Sequence, residues 1–189
     1  MKKLFLIIGA PGSGKTTDAE LIAAKHNNIT HYSTGDMFRA EVSSGSQRGE
    51  IINTYISAGN IVPIDIAIET ILGAIKTAST DIVIIDGYPR SIEQMVELGK
   101  YLLNESAVKL INCIEVVVSV EVARDRVLGR SRGADDNVEV FNNRMKVYLE
   151  PLVEIQKFYT KKDLLKKIDG ERTIEKIVTE MDEYIQSKI

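Results

Sequence analysis

Cysteine occurs once in this sequence, at Cys113, so no intrachain disulfide can form and the chain reads as a protein of a reducing, cytoplasmic compartment. Tryptophan is absent and histidine appears only as His26 and His31, which leaves few imidazoles for metal binding or proton transfer. No apolar run nears the roughly 20 residues that a membrane span requires. A leader peptide is not expected either, because the apolar stretch after Lys2 and Lys3 ends at Ala10 in a glycine-rich turn without a cleavage pattern. An excess of either charge is also lacking: 24 Lys and Arg stand against 27 Asp and Glu, a net of −3. Bulk electrostatics therefore draws in neither nucleic acid nor an anionic membrane, and any bound anion must be met by local basic clusters. No repeat, low-complexity tract or Pro/Gly-rich linker divides the 189 residues, which predicts one domain over 1–189.

What is present is a globular balance of 44% apolar and 27% charged residues. Five short runs rich in β-branched residues, at 4–8, 29–32, 82–85, 114–118 and 164–168, are mostly continuous rather than alternating, as in strands buried on both faces. Longer helical patterns separate them, at about 15–26, 36–57 with a break, 63–78, 91–103, 120–130, 136–159 and 172–187. The alternation predicts an α/β fold with a parallel sheet covered by helices. Two stretches fit poorly into such a core: 34–62 reads as an inserted helical flap, and 129–135 as a surface loop.

Gly9-Ala10-Pro11-Gly12-Ser13-Gly14-Lys15-Thr16 matches G-x-x-x-x-G-K-[ST] directly after an apolar strand and at the start of a helix. Glycines let successive backbone N–H groups face phosphate oxygens, and the helix N-terminus adds its partial positive charge. Lys15 is placed to reach β- and γ-phosphates, and Thr16 to offer its hydroxyl to magnesium. A plain glycine-rich turn with a solvated lysine is the alternative, but the strand and helix on either side favour phosphate. Asp86, closing the apolar run 82–85, lies where ligands of open parallel sheets bind and could hold the water shell of the magnesium.

Five of the nine arginines, Arg124, Arg126, Arg130, Arg132 and Arg144, fall within 21 residues. Arginine meets phosphate through a planar fork that keeps its charge, so such a group suggests polyphosphate recognition. Asp135 and Asp136 are expected to cap the helix that carries Arg144. Arg39 and Arg90 stand at helix starts, and Ser91 with Gln94 forms a capping-box pattern. His26 and His31, distant from the phosphate loop in sequence, are expected to be surface or packing residues. A kit with many arginines and no base suits a phosphate acceptor, which is already ionised and needs only charge cancelling and alignment.

Taken together, G-A-P-G-S-G-K-T-T at 9–17, S-T-G-D-M-F-R at 33–39, D-G-Y-P-R-S-I-E-Q at 86–94, L-G-R at 128–130, D-D-N at 135–137 and I-D-G-E-R at 168–172 resemble the adenylate kinases of the nucleoside monophosphate kinase family, in their short-lid form. The resemblance implies a P-loop kinase core with a five-stranded parallel sheet, a monophosphate-binding flap at 33–62 and a short lid at 129–135. It implies reversible phosphoryl transfer from Mg-ATP to AMP by a monomer, with UMP or CMP as acceptor, or a P-loop nucleotide switch, as the rival readings. Gly12, Ser13, Gly14, Lys15, Thr16 and Thr17 would hold the ATP phosphates, Arg126 would lie against the ATP adenine and Arg172 near it. Thr34, Arg39, the backbone of Asn60, Ile61 and Val62, then Gly87, Tyr88, Pro89, Arg90 and Gln94 would hold AMP. Arg90, Arg130 and Arg144 would clamp the moving phosphoryl group. Two departures stand out. Cys113 lies outside the short lid, so no zinc is expected, and Gly133 occupies the usual arginine position before the paired aspartates, with Arg132 one step early.

Overall fold

The computed structural model describes residues 1–130 and 137–189; Arg132, Asp135, Asp136 and most of the expected lid lie outside them. Among the described residues, strands β1 (Lys2–Gly9), β2 (Ile29–Ser33), β3 (Ile82–Asp86), β4 (Val108–Val117) and β5 (Leu165–Asp169) form one sheet in the order β2-β3-β1-β4-β5. Every neighbouring pair is parallel. Such a sheet needs a helical crossover between strands and cover on both faces. Helices α1 (Lys15–Lys25), α4 (Ile64–Thr77), α5 (Ile92–Asn104), α6 (Val120–Gly129), α7 (Val138–Lys161) and α8 (Ile174–Gln186) supply both.

The continuous apolar runs follow from this double cover. Leu4, Leu6 and Ile8 of β1 pack with Val83, Ile85 and Cys113 beneath Ile71 and Ile75 of α4, Leu98 of α5, and Ile155 and Tyr159 of α7. The alternate residues Phe5 and Ile7 pack with Ile84, Ile114 and Val116 against Ile22 of α1 and Ile177 and Met181 of α8. Strand β4 begins six residues earlier than its apolar run suggests. Lys109 and Asn112 interrupt that run, but pairing with β1 from Lys2 onward, with a register shift between Leu4 and Phe5, carries the strand through them.

The inserted segment is a pair of helices, α2 (Thr34–Ser43) and α3 (Gln47–Ile56). Ser33 caps α2 by accepting from the Asp36 N–H, and Ser46 caps α3 by accepting from the Gly49 N–H. The helices cross so closely that a Cβ on Gly49 would stand 2.3 Å from the Glu41 carbonyl oxygen. Arg48 then ties α3 to α4, donating to Glu69, to the Ile66 carbonyl and to the Thr70 hydroxyl. The cap expected from Asp135 and Asp136 falls instead to Asn137, whose Oδ1 accepts from the Val140 N–H at the start of α7. An Asn side chain one residue before the first turn reaches that N–H, so α7 starts two residues later than its helical pattern suggests.

Candidate active site

β1 lies between β3 and β4, so the turn after Gly9 opens at the C-terminal edge where a doubly wound sheet forms its crevice. Gly12 and Gly14 adopt φ of 81° and 95°, a region that costs a glycine nothing. Gly12 also has no room for a side chain, since a Cβ would lie 2.5 Å from the Ala123 carbonyl oxygen of α6. The turn is therefore pressed onto α6, and Arg126 of that helix donates to the Ser13 carbonyl at 3.3 Å and the Gly170 carbonyl at 2.9 Å. Lys15 reaches back over the turn to the Ala10 carbonyl at 3.3 Å. Desolvation pulls its ammonium down to about 8; Asp86 opposes this, while Arg90, Arg130 and Arg144 add to it.

Asp86 ends β3 almost fully buried, and each of its carboxylate oxygens has a partner. Thr16 Oγ1 donates to Oδ1 at 3.0 Å, and His31 Nε2 shares a hydrogen bond with Oδ2 at 2.6 Å. His31 is thus not remote from the phosphate loop as expected from its sequence position. Parallel pairing of β2 with β3, Ser33 beside Asp86, carries it beneath the site. His26, by contrast, pairs with Asp182 of α8 at 2.7 Å. We expect His31→Ala to cost about 1–3 kcal/mol of stability, because it orphans a buried carboxylate oxygen, while turnover of the folded protein changes only a few-fold because Thr16 still holds Oδ1. Thermal melts beside kcat measurements check this; a collapse of kcat at unchanged Tm would instead put His31 in the chemistry.

On the other side of Asp86, Thr34 Oγ1 donates to the Asp86 carbonyl at 2.7 Å. Gly87 turns the chain with φ of 75°, and Arg90 Nε donates to its carbonyl at 2.7 Å. Burial draws the Arg90 guanidinium down from its usual value, against the pull of Asp86 and together with Arg144 and Arg39. Gln94 Oε1 accepts from the Arg90 N–H at 2.7 Å while Ser91 Oγ accepts from the Gln94 N–H at 3.1 Å. The expected capping box is therefore half formed, its glutamine arm shifted one residue outward to brace Arg90. Tyr88, expected at the site, instead turns into the core, its hydroxyl donating to the Gln94 carbonyl, and its neighbours Gly87 and Pro89 line the crevice. Arg39 pairs with Asp36 on α2.

One cleft joins these groups. Gly12, Lys15 and Thr16 line one side, Arg39, Asn60, Ile61, Pro89 and Arg90 the other, with Asp86, Arg130 and Arg144 between them. A smaller recess beside it is lined by Thr34, Val62, Gly87 and Gln94. Arg144 arrives on α7, which also grips the end of the flap: Asn143 Nδ2 donates to the Ala58 carbonyl at 2.7 Å and to Asn60 Oδ1 at 2.9 Å. Arg172 stands apart, its guanidinium engaged by Glu180 of α8 at 2.5 Å and by the Asp169 carbonyl at 3.1 Å. His31 and Asn143 are the neighbours of the site that sequence reasoning missed, and in both the link spans distant segments.

The adenylate kinase family model matches residues 7–164 of this chain. The chain belongs to the adenylate kinase family. Relatives with the name adenylate kinase align with it from end to end. The protein of Wolinella succinogenes is 64% identical over 190 residues, covering 100% of both chains, and that of Helicobacter hepaticus is 61% identical over 190 residues with the same coverage. The protein of Campylobacter jejuni is 64% identical over 187 residues, 98% of this chain and 97% of its own. The part matched by the adenylate kinase model holds all the cleft residues named above, and Arg172 lies beyond it. Among the described residues no helix is long and apolar enough to cross a membrane.

Proposed function

We infer that this chain catalyses reversible phosphoryl transfer from Mg-ATP to AMP, giving two ADP. The observation that carries the reading is that Lys15, Arg90, Arg130 and Arg144 line one cleft. That cleft runs from the phosphate loop to the recess lined by Thr34, Val62, Gly87 and Gln94. In this reading the backbone N–H groups from Gly12 to Thr17 and the start of α1 hold the ATP phosphates, and Arg126 lies flat against the ATP adenine with Arg172 near the base. Thr34, Gln94 and the backbone of 60–62 and 87–90 take the AMP base, and Arg39 exchanges Asp36 for the AMP phosphate. Arg90, Arg130 and Arg144 then gather charge from the transferring group in line with the acceptor oxygen, a task in which Arg132 would join them. The acceptor is already anionic, so no side chain has to remove its proton.

Thr16 Oγ1 and Asp86 Oδ1, 3.0 Å apart, form a hard oxygen pair of the kind that takes magnesium together with substrate phosphates. Bound there, the ion would neutralise phosphate charge, while Asp86 and Thr16 orient its shell. We further propose that 33–62 moves as the AMP flap and 129–135 as the lid, and that the enzyme works as a cytoplasmic monomer.

A panel of AMP, UMP and CMP with Mg-ATP, read by product formation, tests the reading. ADP formation with AMP alone is expected. Equal use of UMP would turn it to a UMP/CMP kinase, and ATP turnover without any monophosphate to a nucleotide switch. Protons give a second check. Phosphate beside Lys15 raises its pKa from about 8, so ATP binding at pH 8 takes up about half a proton, and affinity declines as pH rises above that value. Titration calorimetry in two buffers of different ionisation enthalpy measures the uptake; a heat independent of buffer would refute it.

A further inference from the structure

Glu115 is a carboxylate sealed into the core and unused by the mechanism above. It lies on β4 beside Ile8 of β1 and Lys167 of β5, on the sheet face covered by α7, and is 2% exposed. Gln156 Nε2 donates to both its oxygens at 2.9 Å, Tyr148 OH donates at 3.4 Å, and Lys167 Nζ stands 3.7 Å away. Two of these partners belong to α7, eight residues apart on one face, and Tyr148 lines the cleft one turn beyond Arg144. A buried ionic cluster is a poor source of stability, because apolar residues of like volume often do as well or better; its best-attested use is to fix register.

We propose that Glu115 is a positioning residue: by holding Tyr148 and Gln156 it sets the rotation of α7 against the phosphate-loop sheet and so aims Arg144 into the cleft. Leu152 and Ile155, which complete the contact, are apolar and resist rotation of the helix only weakly, whereas hydrogen bonds to one carboxylate from residues two turns apart on α7 restrict its azimuth. The proposal rests on the clamp role given to Arg144.

The test is the single-turnover rate of ADP formation from Mg-ATP and AMP, with KM values and thermal melts, for the double variant Glu115→Leu/Gln156→Leu. That pair removes the carboxylate and its closest partner together; of the partners that remain, Lys167 is half exposed and Tyr148 lines the cleft, so both can turn to water. Tm at or near that of the unmodified enzyme is expected, with transfer slowed about tenfold, since small misplacement of a reacting group is costly. In an Arg144→Ala background the same pair should slow transfer by less than about twofold, the signature of action through that arginine. An unchanged rate in the folded double variant would reduce Glu115 to a structural role, and a full tenfold loss in the Arg144→Ala background would show action by another route. If the double variant does not fold, Glu115→Gln carries the same comparison in both backgrounds. Failure of the unmodified enzyme to use AMP, by contrast, would overturn the functional reading and not this one.

Discussion

Lys15→Met is expected to abolish nearly all turnover, by about 100-fold or more, on the order of 3 kcal/mol, while the protein stays folded. The methionine keeps the stem and deletes the charge. In the proposed mechanism that charge meets the negative charge that builds on the transferring group, and it stands on a loop whose turn is set by Gly12 and Gly14 rather than by the ammonium. Without nucleotide the ammonium is a liability, since desolvation and three arginines hold its pKa at about 8 against an ordinary 10.5. Folding then pays for the buried charge in full below pH 8, and the penalty fades as pH rises from 8 toward 10.5, because the native state sheds its proton first. The variant should therefore melt higher than the unmodified enzyme at pH 7, by a margin that shrinks toward pH 10. Thermal melts across that range and a coupled assay measure both effects. A folded variant retaining most of its activity would remove the phosphate loop from the chemistry.

Arg144→Ala should lower kcat by about 100-fold with much smaller changes in either KM, because a clamp on the moving phosphoryl group acts chiefly in the transition state. The side chain is well placed for such a role. It lines the cleft between Lys15 and Arg90, and its Cγ lies 3.0 Å from where a Cβ on Gly59 would stand, so that glycine, at φ 74°, leaves it room against the flap. Rapid-quench measurement of ADP formation separates chemistry from product release. A variant whose rise in the KM for AMP accounts for the whole loss would make Arg144 a binding group instead.

The parts of this site that can be read from the chain are those built by consecutive residues. The phosphate loop is legible because a strand, two left-handed glycines and a helix start must follow one another to expose N–H groups, and Asp86 is legible because it ends an apolar strand. His31 was hidden because its partner lies 55 residues away and the two meet only through the register of β2 on β3. A period-two reading of His31 and Ser33 at the edge of β2 was the available signal. Glu115 was hidden for the opposite reason: within a run of apolar residues a lone acid reads as a solvent-facing strand position, and only α7 folding over that face buries it. Arg172 matches its motif, yet Glu180, eight residues on, claims its guanidinium through a helix-to-loop contact that linear spacing does not reveal.

The crossing of α2 and α3 has a mechanical consequence. At that crossing backbone meets backbone at Gly49 and Glu41, while Phe38 of α2 and Ile52 of α3 are buried in the same core. Should 33–62 close as proposed, so tight a crossing would make the hairpin move as one piece, from Arg39 to Ala58 and Asn60, where Asn143 of α7 bonds it. Labels on α2 and α3 should then report one common closing rate.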